Sequence, residues 1–290
     1  TDGGAKWTQM RGGLPVIAVR DITIHKRAND LVVATFGRGF YVLDDYTPLR
    51  NIKPETLAQE SNLFPISDAL MFIRSNVSLS GSQGASHYLA PNPAYGATIT
   101  YFLKDPIRTK RQKRQETERA AAQKNETPPY PSIAQLREEA EEEPPALIFT
   151  ITDAEGKIVR RLNAPAIPGV QRVVWDFRYA SPVIQQAPQL PPGFEGLEGA
   201  GFGGFGPQGV LAMPGKYTVK MARKVDGVIT ELPGSQTFNV VAEGAEGMSN
   251  ADRNALAEFQ RKVSNLQNML AAAKHEVLLI ADSDIRVSAF

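Results

Sequence analysis

The chain has 290 residues, a formal net charge of +1, no cysteine, 24 glycines and 21 prolines. That length allows one large or two ordinary domains with a real core, and 42% hydrophobic with 22% charged residues is a globular composition, not a disordered one. Near-zero charge speaks against a dedicated nucleic-acid binder, no apolar run reaches the roughly 18 residues of a membrane span, and missing cysteine removes disulfides, thiol catalysis and thiolate metal sites.

The first residues read Thr1-Asp2-Gly3-Gly4-Ala5-Lys6-Trp7-Thr8, a D-x-G-x-x-W pattern. They do not read as a signal peptide. Aspartate accepts backbone hydrogen bonds across a tight turn, and glycine takes φ > 0 there. Tryptophan offers a large packing face. The pattern resembles the Asp box, the bacterial neuraminidase repeat of sialidases and sortilin-type β-propellers. In that family the box joins the third and fourth strands of a blade, and its Trp packs between blade sheets. The resemblance makes Asp2, Gly4 and Trp7 a structural set and implies a chain cut inside a blade. It favours Asp2 as a folding staple over Asp2 as a catalyst, because Asp boxes lie away from the sialidase active site.

Val19, Ile22 and Ile24 fall in a strand-like run, Asn29-Asp30 is turn chemistry, and Leu31–Phe36 is β-rich. Gly37-Arg38-Gly39 then turns into Phe40–Leu43. Short strands with punctuated turns suit a propeller blade. This run resembles the last blade of large bacterial exported proteins described as sortilin-like, or loosely as glycosyl hydrolases. Asp44-Asp45-Tyr46-Thr47-Pro48 stands where a further box would fall, without its Gly and Trp, as at the end of a repeat array. Residues 1–50 are thus expected to be the last blade or blades of a propeller. One blade cannot supply the arginine cluster, Tyr/Glu pair and acid of a sialidase-like site.

Residues 51–96 read as a connector, with a short helix opened by Pro54 and a strand-like run at Ala69–Arg74. From residue 97 the hydrophobic period becomes two. Ile99, Tyr101 and Leu103 alternate, then Leu147, Phe149 and Ile151, which run into the turn Asp153-Ala154-Glu155-Gly156. Ile158–Leu162 answers that strand, and Val173, Trp175 and Phe177 share a face of another. Tyr217, Val219 and Met221 follow Pro214-Gly215, Asp226-Gly227 marks a hairpin before Val228–Thr230, and Phe238 and Val240 close the set. About seven short antiparallel strands are a sandwich signature, with Trp175 as core anchor. Order and turns over 97–243 resemble the immunoglobulin-like domain of flagellar hook-capping proteins, which implies a spacer or assembly module and no catalytic residue.

Two insertions interrupt these strands. In 104–146, Asp105-Pro106 reads as a helix start. Ser132–Gln135 reads as a capping box that opens a second helix, stopped by Pro144-Pro145. Residues 104–124 carry eight basic and three acidic side chains, yet over 104–143 the charges are nine against nine. A basic arm for nucleic acid would want aromatics for base stacking. A solvated helical insertion whose halves attract fits better. The second insertion, 181–213, holds eight glycines between Gly193 and Gly209. Its G-x-G-x-x-G matches lack the flanking strand and helix of a dinucleotide site. Phe194, Phe202 and Phe205 make it a candidate contact loop for a partner protein or the propeller surface.

Over 248–281, Leu256, Phe259, Val263, Leu266, Leu270, Ala273, Val277 and Ile280 keep a heptad seam. The readings are an oligomerising coiled coil, or, favoured, one arm of a helical hairpin or a helix docked on the sandwich. His25, His87 and His275 stand far apart, so no histidine-built metal site is expected. The expectation as a whole is a mainly β chain: a terminal propeller blade and an immunoglobulin-like sandwich, with a helical insertion and a C-terminal helix. It carries no catalytic, cofactor or metal residue, and no nucleic acid or transmembrane segment is expected. Its partners are the rest of its own propeller and proteins met through the helix or the glycine loop. The resemblance implies a bacterial secreted, periplasmic or cell-surface location. The leading function is a non-catalytic structural or interaction module. The alternative is part of a glycoside-hydrolase-like or sialidase-like enzyme whose site lies in upstream blades. Carbohydrate binding by exposed aromatics is a third class.

Overall fold

A computed structural model describes residues 4, 5, 7, 9, 13–73, 92–128, 130–181, 209–244 and 249–287, with the side chains of the last helix described over 251–274. The first sheet is an antiparallel meander of β1 (Val19–His25), β2 (Asp30–Thr35) and β3 (Phe40–Leu43). Its turns work because Asn29 (φ 57°) and the glycines at 37 and 39 (φ 78° and 71°) take left-handed backbone. Register places Ile22, Ile24, Leu31, Val33, Tyr41 and Leu43 on one face. Of these six, only Val33 is buried.

Two short helices follow, α1 (Thr47–Arg50) and α2 (Pro54–Ala58), each with proline in its first turn. The stretch read as a connector also feeds the sheets beyond it, through β4 (Ser61–Leu63) and β5 (Ala69–Met71). After β6 (Ala97–Leu103) come α3 (Lys110–Gln123) and α4 (Ile133–Glu141). The chain then runs through β7 (Ala146–Thr152), β8 (Ile158–Pro165), β9 (Gly169–Trp175), β10 (Gly215–Val225) and β11 (Val228–Ala242) to the helix α5 (Asn250–Val287). The molecule is mainly β, with several sheets, helical insertions and a C-terminal helix.

Beyond the meander the strands form a three-stranded sheet, β4-β6-β9, and a five-stranded sheet, β5-β11-β10-β7-β8. The pairings are antiparallel except β5 with β11, which is parallel. One apolar cluster takes side chains from both sheets. Ile99, Tyr101, Leu103 and Trp175 come from the smaller sheet; Leu147, Phe149, Ile151, Val219, Met221, Phe238 and Val240 come from the larger. The period of two puts these residues inward: Tyr217, Val219 and Met221 are buried while Lys216 and Lys220 between them are exposed. Trp175 sits at the centre with no exposed surface. Tyr217, Phe177 and Phe238 lie edge-on to it at ring centroid distances of 4.9, 5.6 and 6.2 Å.

Local details depart from the sequence expectation for physical reasons. The strands expected separately at Val228–Thr230 and Phe238–Val240 are one strand, β11. Its Leu232-Pro233-Gly234 bulges opposite Met221, with Gly234 at φ 96°. A bulge is where a strand tolerates proline, which has no N–H to give to the ladder. Helix α3 starts at Lys110, not at Pro106, because Thr109 and Gln112 form a reciprocal capping box. The box expected at Ser132 and Gln135 is present, with bonds of 3.2 and 2.9 Å. Strand β9 ends at Trp175. Phe177 then takes φ 59°, an uncommon conformation for a bulky residue, and is fully buried. The turn is held by the Trp175 indole N–H, which donates to the Arg178 carbonyl at 2.9 Å.

Candidate functional site

Three regions carry side chains arranged for more than core packing. The first is the junction between the meander and the two-layer region, meaning the three- and five-stranded sheets that share the Trp175 cluster. Asp45 follows β3 with φ 40°. Its carboxylate accepts the Thr47 N–H at 3.1 Å through one oxygen and the Ser67 hydroxyl at 3.1 Å through the other. Asp30 accepts the Asp45 N–H at 3.0 Å. Arg172, on the outward side of β9, donates one guanidinium nitrogen to the carbonyls of Asp44 and Asp45 at 2.7 and 2.8 Å. Arg27 and Glu243 form a second tie across the same junction. The Asp30 and Asp45 carboxylates are thus spent on holding turns, the use that an Asx turn makes of aspartate.

Of the Asp-box set, Asp2 lies outside the described residues. Gly4 has φ 90°, and the Trp7 ring lies within van der Waals reach of a side chain placed there, at 3.6 Å. Trp7 is 90% exposed. His25 Nδ1 stands 3.6 Å from an Asp30 carboxylate oxygen. Among the described residues, no three His, Asp or Glu side chains gather as a metal-ligating group.

The second region is the α3–α4 hairpin. Arg114 forms a two-pronged pair with Glu139, at 2.7 and 2.9 Å, and also pairs with Glu118 one turn along α3. Lys110 reaches Glu138 at 3.5 Å and, on the β10–β11 turn, Asp226 at 3.3 Å. Glu142 accepts the Lys110 backbone N–H at 2.6 Å and so caps the first turn of α3. The hydrogen bond from Arg114 holds the Glu139 carboxyl below the usual carboxylate range. Lys110 is raised, chiefly by its hydrogen bond to Asp226. Between the helices lies a cleft of about 360 Å³ lined by Lys110, Arg114, Tyr130, Gln135, Glu138 and Glu139. Its charges already answer one another, so it holds an ion-pair seam and no poised acid, base or nucleophile. Arg114, Glu118 and Glu139 are the basic and acidic halves of the insertion meeting as their sequence implies.

The third region is α5. The helix rests on the two-layer region through Ala257, which is buried, and through Arg261. The Arg261 guanidinium stacks over the Tyr179 ring at 5.5 Å and donates to its hydroxyl at 3.2 Å. The seam residues turn the other way. Phe259, Leu266 and Leu270 are 64%, 67% and 70% exposed, and Leu256, Val263 and Met269 share their side of the helix. Among the described residues no helix is long and apolar enough to cross a membrane. The glycine loop with Phe194, Phe202 and Phe205 lies outside the described residues.

Sequence reasoning singled out the seam, the hairpin charges and Trp175, but not Arg172 or Tyr217. Arg172 is one polar residue in an alternating strand, and nothing local marks its partners some 127 residues away. Tyr217 was expected only to point inward. Its hydroxyl also donates to the Met213 carbonyl, and burial pushes its ionisation far above the ordinary tyrosine value.

Two comparisons with known proteins bear on these regions. A family model described as glycosyl transferase family 21 matches residues 253–289, a stretch that falls on α5 and its end. A match of that extent does not place the chain in the family, and it touches neither the junction nor the hairpin. No curated protein matches the chain.

Proposed function

We propose that this chain is a non-catalytic structural and protein-interaction module at the C-terminus of an exported bacterial Asp-box β-propeller protein. In this reading β1–β3 belong to the terminal blade, and the two-layer region is an immunoglobulin-like spacer that positions it. The observation that carries the reading is the meander itself. Its register-aligned apolar face is open along β1, with Ile22 59% and Ile24 45% exposed, and only half-covered at Leu31, Tyr41 and Leu43, while its other end is clamped by Arg172. A three-stranded sheet with one such face needs a second layer to be stable. A neighbouring blade supplies that layer.

Two features support the immunoglobulin-like part. Trp175 is the buried anchor between the sheets. Tyr217, near the start of β10, bonds back to the backbone four residues upstream, as the tyrosine corner of such sandwiches does. The junction carboxylates hold turns and the hairpin charges pair with each other, which fits a scaffold better than a hydrolase centre.

The test places Ile22→Asp and Ile24→Asp both in the 290-residue chain and in the longer parent protein. In the short chain these exposed positions tolerate charge and the unfolding midpoint stays put. In the parent, a blade interface would bury the charges and the folded yield falls. An unchanged parent refutes the blade assignment. Turnover of aryl glycosides or sialosides by the 290-residue chain refutes the non-catalytic assignment.

A further inference from the structure

The open seam of α5 has features that name its occupant. With Leu256 at position a, the heptad puts Phe259 and Leu266 at d, Val263 and Leu270 at a, and Ala273 at d. The e side, at Gln260, is half-buried toward the two-layer region, whereas the g side, at Lys262 and Met269, is exposed. A helix that pairs through this seam therefore has its g flank available and its e flank obstructed near Gln260, while Gln267 and Lys274 further along the e row are exposed. In a parallel pair each g side chain faces the partner's e row. That sets an obstructed e flank on each side of the pair and matches Lys262 only with Gln267. In an antiparallel pair g faces g, which leaves one side of the pair clear, and the e rows share the other side.

The g row reads Ala255, Lys262, Met269, Glu276, and α5 is helical throughout it. Turned end over end about Met269, that row meets itself: Met269 on the partner's Met269, and Lys262 on the partner's Glu276, twice by symmetry. The a and d layers match in the same register, Leu266 with the partner's Leu270 and Val263 with the partner's Ala273. Lys262 pairs along its own helix with Glu258 at 2.9 Å, an exposed pair that a lysine exchanges at little cost. The described seam residues leave on the order of 600 Å² of apolar surface open, the upper end of what a monomer's largest patch shows. Two such faces together bury about 1,200 Å², the lower bound of a specific interface.

From this we infer that α5 is a self-recognition element: two copies of this chain associate through an antiparallel pair of α5 helices, with the dyad at Met269 and Lys262–Glu276 pairs flanking it. The inference does not depend on the propeller reading.

Sedimentation equilibrium of the whole 290-residue chain, from low micromolar to submillimolar concentration, tests it. The expected result is a monomer–dimer equilibrium. Leu266→Glu, at an exposed site, abolishes the dimer, with unchanged helix content by circular dichroism. Lys262→Glu weakens the dimer about fivefold, and adding Glu276→Lys restores it. Orientation is read by disulfide trapping, which is clean because the chain has no cysteine. Val263→Cys with Ala273→Cys cross-links two chains, while Val263→Cys alone does not, since an antiparallel pair holds the two 263 positions far beyond disulfide reach. A chain monomeric at every concentration, a dimer indifferent to Leu266→Glu, or a charge swap that fails to restore association overturns the inference. Cross-linking by Val263→Cys alone overturns it in favour of a parallel pair.

Discussion

Replacing Trp175 by phenylalanine tests the core shared by the three- and five-stranded sheets at its centre. The indole is fully buried, and its N–H donates to the Arg178 carbonyl at 2.9 Å. A phenyl ring removes that donor and leaves the carbonyl unsatisfied beside the core, at a cost of about 1–3 kcal/mol. It also removes three buried ring atoms between Tyr217, Phe177 and Phe238, worth about 2 kcal/mol in transfer and packing. The sum, about 3–5 kcal/mol, is a large part of a typical domain's 5–15 kcal/mol. Urea titration followed by far-UV circular dichroism measures it. The midpoint is expected to fall with the slope unchanged. Trp7→Phe is the control: at 90% exposure it should change stability by no more than about 0.5 kcal/mol. A Trp175→Phe loss under about 1 kcal/mol would refute the argument that the indole and its hydrogen bond hold β9 and the turn after it to the larger sheet.

Other perturbations follow from the same geometry. Gly96→Ala places a Cβ 2.1 Å from the Trp175 carbonyl oxygen at φ 145°, so backbone must move, and the urea midpoint should fall by more than about 3 kcal/mol equivalent. Arg114→Ala removes the two-pronged hold between α3 and α4. Hydrogen exchange of the α4 amides should quicken while the unfolding midpoint of the two-layer region stays the same. The Arg114–Glu139 pair also gives the hairpin a pH dependence. Because the folded Glu139 value is lowered, the pair's contribution is complete above the ordinary glutamate value of about 4.3. It is lost as pH falls through the lowered folded value, and α4 exchange protection should drop in that acid window and not near neutrality. Arg172→Ala frees the carbonyls of Asp44 and Asp45, and limited proteolysis should then cut after β3 faster than in the wild type. Equal cutting rates would mean that the Asp45–Ser67 bond and the Arg27–Glu243 pair hold the junction without Arg172.

Local chemistry was legible where it is dictated by neighbours in sequence. Period-two alternation located β6, β7 and β10, because a half-buried strand must present every second side chain to the core, and the turn at Asp153–Gly156 located β8. The Ser132–Gln135 box located α4, because both partners lie within one turn. The heptad marked α5 for the same reason. The start of α3 at Thr109 is not legible locally, since Asp105-Pro106 and Thr109–Gln112 are both acceptable caps and only packing selects between them. Val228–Thr230 and Phe238–Val240 were legible as strands but not as one strand, since a Pro-Gly bulge and a Pro-Gly turn look alike in sequence.

Tertiary structure decided the rest, and each item depends on residues far apart in the chain. The residues of β5 chose a parallel place beside β11, some 171 positions away. Arg172 reached back over β9 to the carbonyls that end the meander. The seam of α5 was evident in its spacing, but which side of the helix meets the protein was not. Spacing reports that a face is apolar; only the packing of Ala257 and Arg261 shows that the apolar face is the one left open. A near-neutral charge was in the composition from the start. The balance of basic and acidic residues within the insertion was legible as well, but which side chains pair required the distances between Arg114 and Glu139, because ion pairs form through space and not along the chain.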